Sequence, residues 1–278
     1  MKIKLLGILI ILVFIFLIII FLAVKLLVRQ PAERPKIEVP QASASATTSI
    51  KCFKIPILTY HYVENVTDER DTIRKSLAVT PANFEGQLKT LKENGYQTLF
   101  VSEIADIASG NLAYNSKNIA LTFDDSHTDF YTDVLPLLEK YQAKATLYVI
   151  VDFLDKLDFL TKSQLQDIAK NNLVEIGSHT LTHPNLASAS SNLAQKQIND
   201  SKRKLEELTG KPVITFASPY GSYNQKLIDL VKEASYTAAV STKGGACQGQ
   251  ENLFYLSRIR AGGFSGANLL QSLEKLSK

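Results

Sequence analysis

The chain has 278 residues, 45% of them hydrophobic, with 31 Lys/Arg against 27 Asp/Glu for a net charge of +4. That length supports one sizeable domain with its own core. Residues 1–36 hold six Lys/Arg and one acid, so the remainder carries 25 basic and 26 acidic residues and no basic nucleic-acid footprint.

Leu5–Val24 form an uninterrupted uncharged run of 20 residues, long enough to cross a hydrocarbon core of roughly 30 Å as a helix. The run exceeds the apolar region of a signal peptide. Lys25, Leu26, Leu27 and Val28 stand where small residues would mark a cleavage site. The sequence therefore predicts a retained single-pass anchor over residues 1–29. Lys2 and Lys4 precede the span, and Lys25, Arg29, Arg34 and Lys36 follow it, so basic residues alone do not set the orientation. The chemistry below puts the remaining domain outside the cell membrane. Residues 30–51, rich in Pro, Ala, Ser and Thr, read as an extended linker, and residues 52–278 as the folded domain. Cys52 and Cys247 have no CxxC-type spacing, which argues against a zinc–thiolate site. A disulfide between them stays open.

From residue 52 short apolar runs alternate with amphipathic stretches. "IPILTY" (55–60), "QTLF", "NIALTF", "ATLYVIV", "LVEIG", "VITFA" and "TAAVS" are strand candidates. A helix is predicted to open at Pro81, to keep Phe84, Leu88 and Leu91 on one face, and to stop at Gly95. Further helical stretches lie near 102–109, 129–141, 161–170, 190–209 and 224–234. The alternation predicts an α/β domain on a parallel sheet or barrel.

All four histidines, His61, His127, His179 and His183, fall in this region. "EIGSHTLTHPN" places His179 and His183 four residues apart after a strand; on a helical turn both imidazoles would share one face. "TFDD" adds Asp124 and Asp125 at another strand end. Two histidines and one carboxylate, with positions left open to water, are the layout of a catalytic divalent-metal site. The second aspartate is then free to act as general base, with Thr128 and Asp129 capping the next helix.

Together "TFDD", "SHTLTHP" and "FASPYG" (216–221) resemble the polysaccharide deacetylases, the NodB-homology or carbohydrate esterase family 4. The resemblance spans roughly 54–262, including "LAVTPANFEGQLKTLKENGY", "LPLLEKYQAKATLYVI" and "LSRIR". It implies a distorted (β/α) barrel and the hydrolytic removal of N-acetyl, sometimes O-acetyl, groups from a polysaccharide such as an N-acetylglucosamine polymer. Carried over by position, it makes Asp124 the catalytic base that works on a metal-activated water, and Asp125, His179 and His183 the ligands of one divalent metal. Zinc comes first among zinc, nickel, cobalt and iron. Tyr220 would offer its backbone N–H to the oxyanion, with Pro219 beside it in the substrate-binding motif.

The chain departs from the family pattern in four places. No histidine follows His183, so the usual late general-acid histidine is missing. His61, just after the first strand of the domain, resembles the acid of a circularly permuted branch, similar to poly-N-acetylglucosamine deacetylases; a barrel closes its first strand against its last. Ala217 stands where an arginine usually pairs with the base, which would remove one influence holding the Asp124 pKa low; the resemblance to the permuted branch, whose members tend to lack this arginine too, makes it a mark of the branch and not of inactivation. Ser126-His127 replaces the common Gly-Tyr, with His127 a polar residue beside the site. The chain has no Trp, so sugar stacking would fall to tyrosines such as Tyr220 and Tyr223. Two other readings stay open. One is a membrane-tethered carbohydrate-binding domain without catalysis, and the other an iron oxygenase with the same ligand set.

Overall fold

The computed structural model describes residues 52–277. The predicted anchor at 1–29 and the linker at 30–51 lie outside the described residues. No helix among the described residues is long and apolar enough to cross a membrane.

In chain order the strands are β1 (Phe53–Lys54), β2 (Ile57–Tyr60), β3 (Tyr62–Val63), β4 (Ala78–Val79), β5 (Gln97–Leu99), β6 (Asn118–Phe123), β7 (Ala145–Val149), β8 (Val174–Ser178), β9 (Thr215–Ala217), β10 (Ala238–Val240), β11 (Cys247–Gln248) and β12 (Ile259–Arg260). The α-helices are α1 (Thr72–Leu77), α2 (Pro81–Glu93), α3 (Val101–Ala108), α4 (Leu135–Tyr141), α5 (Lys162–Ile168), α6 (Ser191–Thr209), α7 (Gln225–Glu233) and α8 (Gly266–Ser277).

The main sheet runs β10-β9-β8-β7-β6-β2-β12, with β5 beside the first half of β6, and its pairings are parallel. The two ends of the sheet approach each other. Leu256 N donates to Ala239 O (2.8 Å) and Ser241 N to Leu256 O (2.9 Å), just before the chain enters β12 and pairs with β2. The sheet thus curls into a parallel half-barrel, consistent with the distorted barrel that the resemblance implied, and its first long strand lies beside its last.

Strand period two sorts the core. Leu58, Tyr60, Ile119, Leu121, Phe123, Leu147, Ile176 and Phe216 join one apolar cluster with the helices. The alternate residues Ile57, Ala120, Tyr148 and Ala217 belong to a second cluster on the opposite face of the sheet. Continuing that second phase leads along β2 to His61, along β6 to Asp124 and along β8 to His179. Each is the first residue of its phase beyond a strand end.

The seven predicted strands and the predicted helices all appear, with ends shifted by a few residues. The stretch at 129–141 opens as a π-helical turn, Phe130–Val134, before α4. Pro136 has no N–H to donate back into that turn; Leu135 N instead bonds to Phe130 O. The pair Cys52–Cys247 forms a disulfide with Cα atoms 5.2 Å apart.

Candidate active site

The carboxyl ends of β2, β6, β8 and β9 surround a cavity of about 500 Å³ lined by His61, Asp124, Asp125, His179, His183 and Tyr220, with Arg258 and Arg260 from the last strand region. The Asp pair points two ways because its backbone turns. Asp124 follows the strand phase, whereas Asp125 and Ser126 take left-handed conformations, φ 73° and 61°. One carboxylate stays over the barrel axis and the next is thrown toward β8.

Asp125 faces the two histidines of "SHTLTH". Its Oδ1 lies 3.5 Å from His179 Nε2 and 3.6 Å from His183 Nε2. The expected helical turn is absent: residues 179–183 form a loop in which Thr180 and His183 take φ 71° and 61°. His183 N donates to Thr180 Oγ1 at 2.9 Å, and this local turn brings the second imidazole over the first. His179 Nδ1–H donates to the Ala217 carbonyl at 2.7 Å, which leaves Nε2 to present its lone pair.

These residues fit a divalent metal. One ligand atom from each of Asp125, His179 and His183 lies within 4.8 Å of the others. Asp125 Oδ1 is buried with no hydrogen-bond partner among the described residues. Bonds of about 2.0–2.2 Å around a tetrahedral ion put ligand atoms roughly 3.3–3.6 Å apart, the range in which both Asp125–histidine separations fall. Burial opposes the Asp125 charge, but His127 and His179 outweigh it and hold its carboxyl below the ordinary range. Burial also works against a charged His179, yet Asp125 and Asp124 raise its pKa. At His183, burial and the neighbouring His179 lower the pKa.

Asp124 has a different partner, which the sequence reading missed. Arg258 grips it with two prongs, Nη1–Oδ1 2.8 Å and Nη2–Oδ2 2.7 Å, both side chains being buried. Arg258 Nε donates to Ser241 O (2.8 Å), and Nη1 also donates to Thr122 Oγ1 (3.2 Å). The expectation that Ala217 deprives the base of its cation is thus corrected: the cation arrives from the segment that leads into β12, the strand beside β2. Burial alone would raise the Asp124 pKa, but Arg258 overrides it and holds the carboxyl below its usual value. Arg258 lay within "LSRIR", but a two-residue strand gives no periodicity from which to place it.

His61 reaches the same carboxylate from β2, its Nε2 4.0 Å from Asp124 Oδ2. Burial lowers its pKa, with Asp124 and Asp125 opposing. Tyr220 sits at φ 61°, 65% exposed, its ring 4.8 Å from His183. Pro219 is buried and does not line the cavity. Tyr223 stacks on Tyr255 at 4.8 Å. Asp129 does not cap the following helix, because its Oδ2 accepts from Val63 N instead.

Residues 112–239 match the family described as polysaccharide deacetylase. YxkH of Bacillus subtilis is 31% identical over 215 residues, covering 77% of this chain and 74% of its own. The chain belongs to the polysaccharide deacetylase family. The poly-β-1,6-N-acetyl-D-glucosamine N-deacetylase of Staphylococcus aureus is 27% identical over 198 residues, 66% of this chain and 68% of that protein. Among solved structures, the Streptococcus pyogenes deacetylase PplD, in complex with acetate, superposes with a TM-score of 0.74 at 34% identity, over 80% of this chain and 99% of its own. Poly-N-acetylglucosamine deacetylases are thus among the relatives of this family member.

Proposed function

We propose that this family member is a metal-dependent hydrolase that removes acetyl groups from an N-acetylglucosamine polymer. The observation that carries the reading is the division of the Asp pair: Asp125 turns to His179 and His183, while Asp124 turns to Arg258 and His61. Asp125, His179 and His183 would hold a divalent cation, zinc before nickel, cobalt or iron. When bound, that cation supplies Lewis acidity toward the acetyl carbonyl and lowers the pKa of water.

Asp124, kept ionised by Arg258, accepts a proton from the attacking water. Tyr220 lines the cavity, and its backbone N–H would donate to the oxygen that gains charge. His61, 4.0 Å from Asp124, delivers a proton to the leaving amine as the C–N bond breaks. The products are acetate and a glucosamine unit.

The polymer assignment draws on the printed activity of the Staphylococcus aureus relative. An extracytoplasmic site fits the Cys52–Cys247 disulfide, which persists in oxidising compartments. The apolar run Leu5–Val24 would tether the domain to the cell membrane. A non-catalytic sugar-binding role rested partly on the missing base-pairing arginine, and Arg258 takes that ground away. The test is acetate release from acetylated β-1,6-glucosamine oligomers by protein of measured metal content. No acetate from the zinc-loaded protein on this or any other acetylated glycan would defeat the proposal.

A further inference from the structure

His127 is a buried imidazole with no conventional partner. It is 6% exposed, and neither ring nitrogen has a hydrogen-bond partner among the described residues. Buried polar atoms are rarely left so, and an exception calls for a function. Its ring packs against two aromatic rings, Tyr62 at 4.0 Å and 23° and Phe159 at 4.7 Å and 32°. The backbones of His127 and Phe159 bridge antiparallel, which fixes the height of the ring. The ring nitrogens lie on its edge, so the edge is what can hydrogen-bond.

That edge faces the metal-site carboxylate. His127 Nε2 lies 3.8 Å from Asp125 Oδ2, while Oδ1 of the same carboxylate faces His179 and His183. The nearby Asp129 is already engaged, its Oδ2 accepting from Val63 N. His127 is not in the group of three whose ligand atoms lie within 4.8 Å of one another, and its contact is with the other oxygen of the carboxylate.

We propose that His127 is a positioning residue: its Nε2–H holds Asp125 Oδ2 so that Oδ1 stays turned toward His179 and His183. The inference rests on the metal reading of those three residues. A small rotation of the carboxylate closes 3.8 Å to an ordinary N–H···O distance of about 3.0 Å. A carboxylate held by one oxygen loses its freedom to swing away from the ion. Outer partners of this kind typically contribute about 10–100-fold in metal affinity.

The experiment is Zn²⁺ affinity of the full-length protein, measured by competition with a chromophoric chelator. His127→Phe keeps the ring stack and removes the N–H; it is expected to weaken Zn²⁺ binding by about 10–100-fold. His127→Gln places an amide N–H near the position of Nε2 and is expected to stay within a few-fold of wild type. Wild-type affinity in His127→Phe, or equal losses in the two variants, overturns the proposal. Thermal unfolding of the metal-free variants shows whether each folds. If His127→Phe does not, His127→Gln decides alone: retained affinity supports the proposal and a tenfold loss in folded protein overturns it. A wild-type protein that binds no divalent ion overturns the metal reading itself, a different result from wild-type binding unaffected by His127→Phe.

Discussion

Asp124 and Arg258, 134 residues apart in sequence, meet as a buried two-pronged ion pair, with N···O distances of 2.8 and 2.7 Å. The pair holds the Asp124 carboxyl below its usual pKa in a place where burial alone would raise it. It also joins the last strand region of the barrel to the chemistry of the central one.

Arg258→Gln should therefore do two things. Asp124 is held below its usual pKa in the folded protein, so the pair's stabilisation is present above the ordinary carboxylate range and is lost as pH falls through the folded value. Without the guanidinium, burial pushes Asp124 upward, and the acid limb of kcat/KM moves to higher pH. Stranding one buried charge should cost about 3–5 kcal/mol of folding stability at neutral pH. A pH profile of acetate release, with urea unfolding, measures both; an unmoved acid limb counts against Asp124 as the base.

Asp124→Asn separates proton transfer from metal holding. Turnover should fall by roughly 10²–10⁴-fold, while zinc content by mass spectrometry stays at the wild-type level. Asp125→Asn and His179→Ala should lose the zinc. The opposite pattern would mean that the roles of the two aspartates are exchanged.

His61→Ala should leave zinc bound and slow acetate release by roughly 10²-fold or more. An unchanged rate would place the proton donor elsewhere and remove the argument that the first strand supplies it.

Gly177→Ala should damage the barrel beneath the site. A Cβ there would lie 2.5 Å from the Tyr148 ring and 2.8 Å from Thr215 Oγ1, both fixed on neighbouring strands. Overpacking of this kind costs about 1–3 kcal/mol. Chemical denaturation reads it directly, and wild-type stability would show that the Tyr148 ring moves aside.

Cys52→Ser, which opens a disulfide spanning 195 residues, should lower stability by about 2–5 kcal/mol while leaving the site residues in place. The urea midpoint should match that of reduced wild type. Equal midpoints for variant and oxidised wild type would mean that the thiols are not joined in solution.

The sequence by itself determined the alternation of strands and helices and the Asp–Asp and His–His spacings. These are local signals: side-chain periodicity reports burial within one element, and a short motif reports chemistry at one strand end. Local reading failed where partners come from distant segments. The four-residue spacing of His179 and His183 suggested a helical turn, yet left-handed residues at Thr180 and His183 bring the rings together. Ala217 suggested a missing cation, yet closure of the sheet through 256–260 delivers Arg258. The pairing of Cys52 with Cys247 was likewise open until β1 and β11 were seen side by side. Only the tertiary structure decided which aspartate faces which partner, because that depends on strand phase, backbone sign at Asp125 and barrel closure together.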